Sequence, residues 1–375
     1  MTDAAPAHSL LDPFAWYAWQ RAQAPVQRDP RTGLFMVFDY AGVQRALSEY
    51  RSFSSERGRG RGQAGASALS TSLISTDPPR HRPLRALVEQ AFTPKQVRAL
   101  EPRIAELVDE LLTPVSGRLD FVRDFAEPLP VIVIAEILGI PAGERAAFKR
   151  WSDAVVTGDP SGSQEMARYF GKLIEQRRAD PGGDLISGLI AAQLDGEHLD
   201  TQELLGFCML LLVAGNETTT NLLANAVLCW HDHPEALEAV RADRTLLPGT
   251  VEEVLRFRSP VQSMYRVTAT DVELGGLSLP EGSPVLAWIG AANRDPAQFD
   301  APDTFNPART PNRHLAFGQG IHFCLGAPLA RLEARLALDA VLDRLPGLQL
   351  APGARLDPIP STIVYGVRHL PVTFG

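Results

Sequence analysis

The chain has 375 residues, 45% of them hydrophobic and 21% charged, with a net charge of −8 at neutral pH. That length holds one large domain or two ordinary ones, and the apolar share is enough for a sizeable core. The acidic balance and the lack of any basic run argue against nucleic acid as a partner. Cys208, Cys229 and Cys324 are too few and too far apart for a disulfide framework or a zinc pattern, which fits a reducing compartment. Met1 to Leu11 lacks the basic and apolar regions of a signal peptide. The longest apolar run, Leu204 to Ala214, falls short of the roughly 20 residues that cross a bilayer. A cytoplasmic protein without a membrane anchor is expected.

Asp12-Pro13 ahead of Phe14, Trp16, Tyr17 and Trp19 predicts a capped first helix. Val26-Gln27 and Leu34 to Val37, either side of Asp29 to Gly33, predict a hairpin, and Asp39 caps a helix through Leu47. The stretch from Ser54 to Ser72 reads as a solvated loop in which Arg57, Arg59 and Arg61 alternate with glycine. Thr76-Asp77-Pro78-Pro79 opens the next helix, which puts His81 and Arg85, four apart, on one face. Helical periodicity continues from Pro94 to Leu112, and again from Leu129 to Leu138, where Gly139 stops it.

Asp200 and Glu203 form a capping pair for a long buried helix reaching about Trp230. Its middle, Ala214-Gly215-Asn216-Glu217-Thr218-Thr219-Thr220, goes against helix preference, and a carboxylate there is costly to bury. A kink with threonine hydroxyls bonded back to carbonyls would explain part of it. Glu253 and Arg256, three apart on a helix, can pair. Asp271 to Leu279 folds as a hairpin around Gly275-Gly276, Val285 to Ile289 is a buried strand, and Ala327 to Leu345 is the last long helix. Ser361 to Tyr365 returns as a loop or strand. With no repeat and no linker, residues 1–375 read as one domain.

The most informative stretch is Phe317-Gly318-Gln319-Gly320-Ile321-His322-Phe323-Cys324-Leu325-Gly326, which runs into a helix with Pro328 in its first turn. Alone, a cysteine in a glycine-rich turn is ordinarily a small buried residue. Just before a helix N-terminus, however, a thiol is expected to fall below its usual pKa of about 8.5 and to favour the thiolate that ligates metals. A lone thiolate suits a metal already held by a macrocycle, and haem iron takes one axial cysteine.

The pattern F-G-x-G-x-H-x-C-x-G resembles the haem-thiolate signature of the cytochrome P-450 superfamily at every fixed position. That resemblance implies a mainly α fold, a helix-rich triangular prism with a small β-rich region, and haem b as cofactor with Cys324 as the metal ligand. Phe317, Gly318, His322 and Gly326 would belong to the cofactor loop, with the Leu325 and Gly326 N–H groups bonded to the sulfur. His81, Arg85 and Arg266 match propionate-binding positions, and a guanidinium can grip a carboxylate in bidentate fashion. A-G-x-E-T resembles the oxygen-activation motif. Ala214 and Gly215 would admit haem and oxygen to the backbone, Thr218 would hydrogen-bond oxygen, and Glu217 would relay protons. Glu253, Arg256 and Arg309 correspond to a structural ion-pair element. Leu73, Ile74, Val261, Met264, Ile363 and Val364 are the candidate substrate contacts. The family's two lid helices would fall between Gly158 and Arg178, a span that looks short for both.

The implied activity is monooxygenation of a hydrophobic small molecule by O2, by a monomer. No flavin, nicotinamide or iron–sulfur motif is present, so electrons would come from a ferredoxin or flavodoxin and its NAD(P)H reductase. Arg331, Arg335 and the arginines near His81 would offer that partner positive charge. Two alternatives stay open: a peroxide-driven peroxygenase, against which the acid–threonine pair argues, and a haem sensor or carrier, which has no use for a proton relay.

Overall fold

A computed structural model describes residues 8–56, 72–144, 147–148, 150–151, 159–194 and 196–375. Arg57, Arg59 and Arg61 therefore lie outside the described residues.

The long helix, Thr201–Asp232, is the axis on which the rest is hung. Its start is the expected capping box: the Asp200 carboxylate accepts from the Glu203 N–H at 2.8 Å, and Glu203 accepts in return from the Asp200 N–H at 3.0 Å. Thirty-two residues extend roughly 48 Å, which carries it across the molecule. Helices Pro128–Ile137, Pro160–Ala179, Leu247–Phe257 and Ala327–Arg344 pack against it. This shared apolar core runs from Leu204 and Phe207 through Leu222 and Leu223 to Trp230.

A five-stranded sheet lies to one side, in the order β1 (Val26–Arg28), β2 (Phe35–Val37), β8 (Pro284–Ala287), β5 (Met264–Thr268), β3 (Phe53–Ser54). The β1–β2 hairpin turns at Gly33, whose φ of 73° is the left-handed region, and Val26 faces Val37. The parallel β2–β8 pairing brings together residues some 250 positions apart and sets Met264 opposite Ala287 in the adjacent antiparallel pair. Two smaller sheets complete the β-rich part: β4 (Arg118–Asp120), β10 (Pro371–Thr373) and β9 (Gln349–Leu350), and the hairpin β6 (Val272–Leu274) with β7 (Leu277–Leu279).

Several elements differ from expectation. The first helix, Phe14–Gln23, is preceded by Pro13 and has no side-chain cap; the Asp12 N–H instead donates to Ser9 Oγ. The periodic stretch from Pro94 to Leu112 is two helices, Pro94–Ala99 and Glu101–Leu112. Pro102 explains the break, since it has no N–H for the Arg98 carbonyl and its ring crowds that group. Where two lid helices were expected between Gly158 and Arg178, the described residues form one, Pro160–Ala179. No helix among the described residues is long and apolar enough to cross a membrane.

Candidate haem and oxygen-activation site

The cysteine loop owes its shape to two left-handed glycines, Gly318 and Gly320, each with φ of 71°. A side chain on Gly320 would come within 2.8 Å of the Ser48 backbone, so only glycine fits that packing. The Cys324 N–H donates to the Phe317 carbonyl at 2.9 Å and closes the loop, delivering Cys324 three residues before the Ala327–Arg344 helix.

Cys324 forms one wall of a cavity that holds about 1460 Å³ of empty space, its open mouth included. Another part of the wall is the middle of the long helix, with Ala214, Gly215, Thr218 and Thr219; the helix runs through this stretch unbroken, without the expected kink. Leu73, Ile74, Val261 and Met264 line it as expected, together with Phe207, Leu210, Leu211 and Ile289. Ile363 and Val364 are not among the lining residues. The Ile363 carbonyl accepts from the Gln262 N–H at 2.7 Å and Val364 bridges Val261, so their turn braces the pocket strand from behind; Ile363 itself is 49% exposed.

The Cys324 thiol does not follow the helix-terminus expectation. Burial pushes its pKa up and outweighs the Gly326 and Ala327 N–H groups and the Arg85 and Arg331 charges, which pull it down. The donors to sulfur are thus Gly326 and Ala327, one residue further on than the expected Leu325 and Gly326.

Thr218 Oγ1 donates to the Ala214 carbonyl at 2.6 Å, the back-bond expected of a threonine inside a helix. Gly215 also lines the cavity, but its missing side chain answers a different need: a Cβ there would sit 2.9 Å from Ile134 Cδ1. Glu217 is half-buried next to Thr218, and its carbonyl accepts from Asn221 Nδ2 at 2.7 Å.

At the other edge of the cavity two imidazoles meet. His81 and His322 stand edge to face, ring centroids 4.6 Å apart. His81 is 3% exposed and its Nε2 is buried without a partner; burial, then the His322 and Arg85 charges, lower its pKa to about 4. Arg266, equally buried, and Arg85, whose Nη1 donates to the Phe323 carbonyl at 2.7 Å, complete the cluster. The orphaned imidazole nitrogen beside these two guanidinium groups suits carboxylates, although Arg85 already pairs with Glu89 at 2.6 Å, and a lone cysteine with an apolar cavity suits a macrocyclic metal. These residues fit haem b.

Glu253, Arg256 and Arg309 are brought together behind this site. Arg256 is fully buried and grips Glu253 through two bonds of 2.8 Å; Arg309 Nε lies 3.2 Å from both oxygens. Arg331 and Arg335, expected to offer a redox partner positive charge, are paired with Glu252 and Glu101.

Two site residues escaped the sequence reading. Asp77, read only as part of a helix opening, is buried against His322. Glu333 lines the cavity, is 1% exposed, and leaves Oε2 without a partner. Its signal was available: a carboxylate interrupts the otherwise apolar Leu329–Ala337 face of an amphipathic helix.

The family model described as Cytochrome P450 matches residues 163–362. A putative cytochrome P450, YjiB of Bacillus subtilis, is 42% identical, covering 96% of this chain and 93% of its own. The monooxygenase PikC of Streptomyces venezuelae is also 42% identical, with 96% and 91% covered. Among solved structures, CYP109E1 of Bacillus megaterium in complex with testosterone superposes with a TM-score of 0.93 at 43% identity over 98% of both chains.

Proposed function

This chain belongs to the cytochrome P450 family and is a haem b monooxygenase, and we propose that its substrate is a bulky, neutral, apolar molecule oxidised by hydroxylation or a related insertion of oxygen. The observation that carries this reading is the cavity wall. Among the described lining residues the ionisable side chains are Arg85, Arg266, His322, Cys324 and Glu333, while the long-helix side and the Leu73, Val261 and Met264 side are aliphatic or aromatic apart from Thr218 and Thr219. Among the described residues of those walls an anionic substrate group would be desolvated without a partner. The relative CYP109E1 has been solved with testosterone and with corticosterone, molecules of this chemical class.

Haem supplies the redox chemistry that divides O2 between the product and water. Cys324 would hold its iron through the sulfur, whose charge the Gly326 and Ala327 N–H groups would steady. His81, His322, Arg85 and Arg266 would hold its propionates. Thr218 presents a hydroxyl to the cavity by turning from the Ala214 carbonyl, and the neighbouring Glu217 carries protons inward. The whole chain acts as one haem domain, a cytoplasmic monomer served by a separate ferredoxin or flavodoxin with its NAD(P)H reductase.

Titration with testosterone tests the substrate class: a shift of the Soret band toward the high-spin form is expected, and a response to a fatty-acid anion in its place would overturn the reading. The ligand is tested by the reduced protein under carbon monoxide. A strongly red-shifted Soret band is expected for the native chain and its loss, with all turnover, for Cys324→Ser. Thr218→Ala should retain haem and the testosterone shift while the ratio of product to hydrogen peroxide falls by about 10²-fold. Full coupling of NADPH to product in that variant would remove Thr218 and Glu217 from the proton path.

A further inference from the structure

Asp77 is a buried carboxylate at the edge of the haem cavity, 5% exposed, that none of the roles above uses. Its two oxygens meet three donors. Ser54 Oγ at 2.5 Å and the Ser55 N–H at 3.1 Å reach Oδ2; His322 Nε2 lies 3.1 Å from Oδ1. Its own carbonyl accepts the His81 N–H at 3.1 Å, so Asp77 is fixed to the first turn of the His81–Ala91 helix. Burial works against its charge, but the bonds from His322 and Ser54 prevail and hold it below the usual carboxylate range.

We propose that Asp77 is a positioning residue for haem, aiming His322 and, through the ring contact, His81 at the propionate edge. An ionised carboxylate has nothing to donate, so the nitrogen of His322 facing it must be the N–H. That bond removes the ring's freedom to flip, and the His322 ring is the surface against which His81 stands. The buried, unpartnered Nε2 of His81 thereby keeps a fixed direction. Electrostatics alone would disfavour this arrangement, because Asp77 adds a negative charge close to two carboxylates of the cofactor. Its benefit must come from orientation, and that sets up a test in which the two effects have opposite signs.

The inference rests on haem being the cofactor, and the experiment is transfer of haem from the purified holoenzyme to excess apomyoglobin, followed at the Soret band. Asp77→Asn keeps the shape, removes the charge, and cannot accept from all three donors at once. Haem loss about 10-fold faster than the native rate is expected, with the red-shifted carbon monoxide band intact, since Cys324 is untouched. In a His322→Phe background the same change should have no further effect, which a merely structural Asp77 would not produce. Ser54→Ala, which removes one donor and leaves His322 in place, should fall between native and Asp77→Asn and serves if the latter does not fold. Unchanged or slower haem loss in Asp77→Asn, or additivity with His322→Phe, would overturn the proposal. Loss of the carbon monoxide band in the native protein would instead sink the haem reading itself.

Discussion

Arg256→Met is expected to cost roughly 3–5 kcal/mol of unfolding free energy and to lower haem content in the same preparation. The guanidinium is wholly buried and makes five bonds: two to Glu253 at 2.8 Å, and one each to the carbonyls of Asn293, Pro302 and Thr304 at 2.9, 2.8 and 3.1 Å. Removing it leaves a buried carboxylate with reduced compensation and takes the donor from the Asn293 and Pro302 carbonyls, each a separate desolvation cost, while Thr304 keeps its bond from Arg309 Nη2 at 3.1 Å. The effect should reach the haem because Asn293 is a relay. Its side chain accepts the Leu315 N–H at 2.7 Å and donates to Ser259 Oγ, and Leu315 begins the run into the cysteine loop. Arg309→Met should cost less. That side chain is 10% exposed and its distances to Glu253 are longer, at 3.2 Å. Urea unfolding and the ratio of Soret to protein absorbance check both. Arg309 also donates to three carbonyls, those of Asp300, Ala301 and Thr304, so equal losses for the two variants would mean that the deeper burial and shorter Glu253 bonds of Arg256 add nothing.

The contrast between these two arginines also marks what could be read from sequence. Glu253, Arg256 and Arg309 were legible as an element by spacing and resemblance, as were the Asp200–Glu203 cap and the cavity residues Leu73, Ile74, Val261 and Met264. Each of those signals is local or is carried by a motif. The carbonyls that Arg256 grips, and the bond from His322 to Asp77 across 245 positions, are not in any local pattern. The thiol of Cys324 shows a second limit. Its neighbours in sequence promise a helix dipole, but burial by distant residues decides the direction of its shift. Ile363 and Val364 show a third: proximity of a turn to a pocket does not fix whether its side chains enter it or its backbone braces it.

Glu333→Gln should flatten the pH dependence of stability by about 1.4 kcal/mol per pH unit relative to the native chain. Burial alone pushes the Glu333 carboxyl up to about 8 from an ordinary 4.5. Below pH 4.5 the group is protonated whether the chain is folded or not, and it contributes no difference. Between pH 4.5 and 8 the unfolded chain gives up the proton while the folded chain keeps it, so stability falls as pH rises. Above pH 8 the loss levels off at about 5 kcal/mol over the window. The glutamine of the variant is neutral throughout and lacks this slope, though its amide enters a site where one oxygen already has no partner. Unfolding midpoints in urea at about pH 5.5, 6.5 and 7.5 give the difference in slope between the two proteins, with other carboxylates common to both. Parallel slopes would mean that Glu333 is ionised in the folded state, and a buried anion facing the cavity would then need a counter-charge from the bound cofactor or from water. A difference of the expected sign would establish a neutral carboxylic acid on the cavity wall, one kept protonated at neutral pH by its burial.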